Sequence, residues 1–197
     1  MSHKEKLIKL INEKEGLILT KDVEERGIPR KYLSLFNKEG LLERVAHGVY
    51  LSPDTFEDEM YILQSRVSKA VFSHETALYL HDLTDRDPIN YSVTLPSGFN
   101  GSSLKNEGVK IYKIKKELHE LGVVELKTIF GRSIRVYNKE RTICDIIRNR
   151  NNMDVAILND ALRRYIKDKD KNINLLLKYS KEFRIYNITR KYMEMLQ

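Results

Sequence analysis

With 197 residues, 41% of them hydrophobic and 32% charged, the chain can build one large or two modest domains, each with a buried core. No apolar run approaches the roughly 18–20 residues that a membrane-spanning helix needs, and the charged start MSHKEKLIKLINEKEG reads as an amphipathic helix, not a signal peptide. A net charge of +7 and a pI near 9.3 favour a polyanionic partner, while the lone cysteine, Cys144, excludes an internal disulfide framework and suits a reducing cytoplasm.

Leu7, Ile8, Leu10 and Ile11 recur at helical spacing and predict a helix over 3–14, stopped by Gly16. Residues 17–19 form a short apolar strand, and Thr20 is placed to cap a helix over 21–26. Gly27 turns the corner and Pro29 suits the first turn of the next helix, where a missing N–H costs nothing. That helix, 29–39, directs Tyr32, Leu33, Leu35 and Phe36 inward and Arg30, Lys31, Ser34, Asn37 and Lys38 outward. Residues 41–45 and 49–51 then read as two strands around the tip Ala46-His47-Gly48. Helix, corner, helix and hairpin in this order predict a winged helix-turn-helix over residues 1–54.

Ser52-Pro53-Asp54 marks the expected boundary, with a second domain over 55–197. Its elements are helices over 57–68 and 74–83 (the latter capped by Ser73), strands over 91–95, 109–114, 123–128 and 133–137, and a helix over 139–148 capped by Asn138. The last two strands make a hairpin over Phe130-Gly131-Arg132, and further helices fill 153–168, 172–182 and 186–196. The expected class is α+β: a winged helix-turn-helix, then a mixed α+β domain with a helical C-terminal tail.

If the second helix enters a DNA major groove, Arg30, Lys31, Ser34 and Asn37 face base edges, because arginine pairs bidentately with guanine and asparagine with adenine. Lys21, Arg26, Lys38, Arg44 and His47 are better placed for phosphates. Yet residues 1–54 hold ten Lys/Arg against nine Asp/Glu, whereas residues 55–197 hold 25 against 19. The basic excess therefore lies in the second domain. Arg148, Arg150, Arg163, Arg164 and Lys167, with Lys169 and Lys171, form a candidate basic surface there, broken by Asp154, Asp160, Asp168 and Asp170. A solvated helix face is the plainer reading of that run; contact with an acidic partner or with DNA beside the operator is the sharper one.

His74 and His81, seven apart on one helix with Glu75 and Asp82 nearby, lack the pair four apart of a zincin helix and any third His or Cys close in sequence, so we expect no metal site. The stretch Pro96 to Ser103 is Gly/Ser-rich without a Gly-Lys-Ser/Thr ending, and is expected to be a surface loop. Cys144 sits at a buried helical spacing with no nearby histidine, as a small core residue. With no catalytic residues or cofactor motif in view, an enzyme is not expected.

Four stretches in order, LLERVAHGVYL followed by Ser-Pro-Asp, FSHETALYLHDLTD, YSVTLPSG and NKERTICDII, resemble the AbiEi antitoxins of type IV abortive-infection toxin–antitoxin systems. That resemblance implies a bacterial cytoplasmic repressor whose winged helix binds inverted repeats in its own promoter. It further implies that the C-terminal domain neutralises a nucleotidyltransferase-like toxin, AbiEii, without a stable complex. The DNA contacts it implies fall chiefly on Arg30, Lys31, Ser34 and the wing around Arg44 and His47. The alternative is a ligand-responsive transcriptional regulator without antitoxin activity.

Overall fold

The computed structural model describes residues 1–196, which divide into two compact units, 1–68 with 127–134, and 69–126 with 135 onward. The first unit runs α1 (His3–Glu13), β1 (Leu17–Leu19), α2 (Thr20–Glu25), α3 (Lys31–Lys38), β2 (Glu43–Ala46), β3 (Val49–Leu51) and α4 (Glu59–Arg66). A capping box opens α1: Ser2 Oγ accepts from the Glu5 N–H at 3.2 Å, and Glu5 Oε2 accepts from the Ser2 N–H at 2.8 Å. The strands form an antiparallel sheet in the order β1-β3-β2, with a bulge between Arg44 and Ala46.

Leu7, Leu10, Ile18, Val23, Ile28, Leu33, Phe36 and Leu42 make the core between the helices and the sheet. Burial of a side chain the size of Leu33 or Phe36 contributes about 1.5–3 kcal/mol, which is what pins α3 in place. Ile8, expected in this stripe, is half exposed, because the helical period carries position 8 off the face shared by 7 and 10. Thr20 is the first residue of α2 and not its cap. Its N–H and hydroxyl both donate to the Gly48 carbonyl (2.8 and 3.3 Å), and the Asp22 carboxylate takes over the cap role by accepting from the Leu19 N–H at 3.0 Å.

Leu17, Leu19, Val49 and Leu51 form a second apolar cluster with Ile62 of α4. This packing is why the compact unit runs to residue 68 and does not stop at 54, since an apolar sheet face needs a helix to cover it. Residues 127–134 belong to the same unit: Thr128 Oγ1 donates to Asp58 Oδ2 at 2.6 Å, Arg132 lies 3.7 Å from that carboxylate, and Phe130 stacks on Phe56 at 6.1 Å.

The second unit contains β4 (Val71–Phe72), α5 (His74–Leu80), β5 (Ser92–Pro96), α6 (Ser102–Asn106), β6 (Lys110–Ile114), α7 (Lys116–His119), all but the last residue of β7 (Val123–Lys127), the last three residues of β8 (Ser133–Tyr137), α8 (Lys139–Arg148), α9 (Val155–Lys167), α10 (Ile173–Glu182) and α11 (Tyr186–Leu196). The mixed sheet has the order β6-β5-β4-β8-β7, with β5 parallel to β6 and β4 antiparallel to β5 but parallel to β8. Val71, Phe72, Val93, Leu95 and Val136 are fully buried, as central strands covered on both faces must be. Three short elements depart from the sequence reading. β4 and α7 fell between the expected elements, and α6 begins inside the stretch read as a surface loop; two to five residues carry too little periodicity to register.

Asn138 caps α8 as expected, its Oδ1 accepting from the Arg141 N–H at 2.9 Å. The helix is the axis of the unit, with residues 140–147 all buried. Ile143, Cys144, Ile146 and Ile147 share one core with Leu158, Leu162 and Tyr165 of α9, Leu176 and Tyr179 of α10, and Met193 of α11. The C-terminal helices are therefore part of the core and not a tail. Cys144 is enclosed, and burial pushes its thiol pKa well above the ordinary value.

Three charges lie inside this core. Arg141 Nε donates to Asp145 Oδ2 at 3.0 Å with both side chains essentially solvent-free, and Arg148 donates to Asp145 Oδ1 at 3.1 Å. Arg141 Nη1 donates to the carbonyls of Leu118 and Leu121 at 2.8 and 2.7 Å, and the guanidinium lies over the rings of Tyr137 and Phe183. Glu140 accepts from the Tyr165 hydroxyl at 3.2 Å and from the Asn172 N–H at 2.9 Å. Each is a buried charge with dedicated partners, the condition under which such groups are tolerated.

Candidate nucleic-acid interface

Three elements meet at a groove of about 440 Å3 in the first unit: the start of α2, one face of α3, and the β2–β3 hairpin. Lys21 comes from α2, Arg30 and Ser34 from α3 and its cap, and Arg44 and His47 from the hairpin, all five exposed. The hairpin can close this tightly because Gly48 takes φ +72°, a conformation that side-chain-bearing residues rarely adopt, and its carbonyl receives the two Thr20 bonds. Arg66 of α4 also lines the groove. Sequence reasoning missed it by assigning its helix to the second domain; the only available signal was a basic residue ending the helix after the hairpin.

The groove has its own counter-charge. The Arg30 guanidinium pairs with Glu24, and that hydrogen bond holds its pKa above the ordinary arginine value. Arg44 reaches along the hairpin, with Nε donating to the Ala46 carbonyl at 3.4 Å and Nη2 lying 3.3 Å from His47 Nδ1. Asn37 Oδ1 accepts from the Arg44 N–H at 3.2 Å, so this amide ties α3 to the hairpin. Lys31, with its ammonium 5.6 Å from the Tyr32 ring, and Lys38 are exposed on α3 outside the groove lining. Arg26 is engaged elsewhere, in a 2.7 Å pair with Glu13.

The candidate basic surface of the second unit is divided by the fold. Arg148 joins the Asp145 network, and Arg150 donates to the Ile147 carbonyl at 3.0 Å. Arg164 is held by Asp85 and by Asp160, the latter at 2.9 Å. Arg163 and Lys167, four apart and exposed, share a face of α9. The two helical histidines also go separate ways. His74 is buried and stacked on Tyr112 with ring centroids 3.3 Å apart, and burial lowers its pKa to about 4. His81 Nε2 donates to the Tyr137 carbonyl at 2.7 Å; its pKa is also lowered, chiefly by burial. Among the described residues, no group of three or more His, Cys, Asp or Glu side chains is placed to hold a metal ion. No helix among them is long and apolar enough to cross a membrane.

Comparison with known proteins adds three findings. The crystal structure of RV2827C protein from Mycobacterium tuberculosis has a similar fold, with a TM-score of 0.62 over 91% of this chain and 71% of that one, at 12% identity. At that identity the likeness concerns fold alone. No curated protein matches the chain by sequence. A family model described as "Transcriptional regulator, AbiEi antitoxin" matches residues 5–53, which include the groove-lining residues from Leu19 to Tyr50 but not Ser65 and Arg66. That match supports the resemblance to the AbiEi antitoxins over residues 5–53, the stretch that includes the hairpin motif, while the three motifs after residue 70 lie outside it.

Proposed function

We propose that residues 1–54 act as a winged helix-turn-helix that binds inverted repeats in the promoter of the chain's own operon and represses it. The observation that carries this reading is the convergence of Lys21, Arg30, Ser34, Arg44 and His47 on one groove between α3 and the hairpin. In this arrangement α3 enters the major groove, Arg30 exchanges Glu24 for a guanine edge, and Ser34 follows one turn later. Lys21, Arg44 and His47 hold the phosphates on either side, with Lys31 and Lys38 along the exposed face of α3 and Arg26 and Asn37 at its margins. Residues 55–197 act without catalysis or cofactor in the cytoplasm, neutralising a nucleotidyltransferase-like AbiEii toxin without a stable complex. Arg163 and Lys167 supply phosphate contacts beside the repeat, in keeping with the basic excess of residues 55–197.

The test is a mobility shift on the operon's upstream repeats. Wild type binds, with a log–log salt slope of about −5 if about six phosphates are engaged. Arg30→Ala combined with Lys31→Ala abolishes the shift and derepresses the operon, while the same full-length variant still rescues cells from the toxin. Unchanged binding by the double variant would refute the assignment of α3. Loss of rescue in a folded double variant would refute the division of labour.

A further inference from the structure

The second unit contains a small polar cavity unrelated to the groove of the first. Its volume is about 120 Å3, and its walls come from α5, β5, β6 and α8, with Arg141, Arg148, Lys113, His74, Tyr112 and Asn149 among the lining residues. Arg141 and His74 are buried, whereas Lys113 and Arg148 are exposed, the Lys113 ammonium donating to the Phe99 carbonyl at 2.5 Å.

The donors of Arg141 can be counted. A guanidinium carries five N–H groups. One, on Nε, goes to Asp145, and the two on Nη1 go to the carbonyls of Leu118 and Leu121. The two on Nη2 are buried and have no hydrogen-bond partner among the described residues. Native proteins rarely leave buried charged donors unmatched, and an orphan of this kind calls for a specific reason. The only carboxylate lining the cavity, Asp145, has both oxygens engaged by Arg141 and Arg148. It therefore orients the two guanidiniums without cancelling them. With Lys113 the lining holds three cations against one anion, so its excess is positive.

At about 120 Å3 the space holds several water molecules and admits one tetrahedral oxyanion. We propose that this cavity binds one phosphate group, either as the free ion or as the phosphate of a monoester whose remainder stays outside the mouth. Arg141 Nη2 supplies the buried donors at the base, and Arg148 and Lys113 close over the exposed oxygens through charge-assisted bonds. Asn149 is held by its side-chain bond to the Tyr112 hydroxyl at 3.3 Å, and the Tyr112 ring braces His74 on the opposite wall.

Calorimetric titration and thermal unfolding of the full chain, at ionic strength held constant with sodium chloride, test the proposal with inorganic phosphate and with AMP as probes. Inorganic phosphate should bind saturably and raise the melting temperature in step with occupancy. Lys113→Ala and Arg148→Ala should each weaken it about tenfold, with Lys178→Ala, exposed on α10 and outside the lining, unchanged. Tighter binding of AMP than of phosphate identifies a monoester as the ligand, and the reverse order identifies the free ion. Arg141→Lys keeps the charge but loses the fork, and should abolish binding in a folded protein. Where that variant fails to fold, the Lys113 and Arg148 variants decide. Absence of a saturable response to both probes, or unchanged affinity in both of these variants, overturns the proposal.

Discussion

Replacing Asp145 with alanine isolates the buried charge network of α8. The substitution removes both oxygens that hold the guanidiniums of Arg141 and Arg148. Arg148, about one-third exposed, can turn to water, but Arg141 is fully enclosed and cannot. An unpaired charge in such a place costs about 3–5 kcal/mol, a large part of the roughly 5–15 kcal/mol that keeps a domain folded. The chain has no tryptophan, so urea unfolding is best followed by circular dichroism at 222 nm. With a denaturant slope of about 2 kcal/mol per molar, the midpoint should fall by about 2 M. The double variant Arg141→Met with Asp145→Leu should recover part of this loss. It should not recover all, because the Leu118 and Leu121 carbonyls lose their donor. A midpoint shift below about 0.5 M for Asp145→Ala would refute the reasoning.

Stability should also depend on pH through His74. Burial lowers its pKa to about 4 from an unfolded value near 6.5, so between these limits the unfolded chain binds the extra proton. The contribution is therefore complete above pH 6.5 and is lost as the pH falls toward 4, the loss reaching about 2 kcal/mol at pH 5. His74→Asn, which tolerates the φ of +49° at this position, should flatten that part of a stability–pH curve; an unchanged slope would show that other groups cause it. At Gly122 the backbone has φ +79°, and an added Cβ would lie 2.7 Å from the Arg141 Cβ. Gly122→Ala should consequently cost about 2–4 kcal/mol from left-handed strain plus overlap, measured as above, and a loss under about 0.5 kcal/mol would contradict this geometry.

Much of the first unit is legible in the sequence because its signals are local. The stripe of Tyr32, Leu33, Leu35 and Phe36, the Gly27–Pro29 corner and the glycine at the hairpin tip each act within a few residues. The helices and hairpin stand within a residue or two of where these signals put them. The capping residue Asn138 marks the start of α8 for the same reason, and the four ordered motifs carried the family resemblance. Tertiary contacts decided what no window could contain. Residue 54 looks like a boundary from its turn residues, yet Ile62 covers the sheet face of the first unit and draws α4, with Arg66, toward the groove. Glu24 sits opposite Arg30 only because the corner folds α2 back against α3. In α8 the sequence shows an arginine and an aspartate four apart, the usual mark of a solvated helix face. Only packing by α5, α9, α10 and the sheet strips water from that pair, and so turns Arg141 from a surface charge into the buried base of a cavity. Helical period and capping are properties of neighbouring residues and can be read along the chain. Burial of a charge depends on everything packed around it, and that is settled only when the chain has folded.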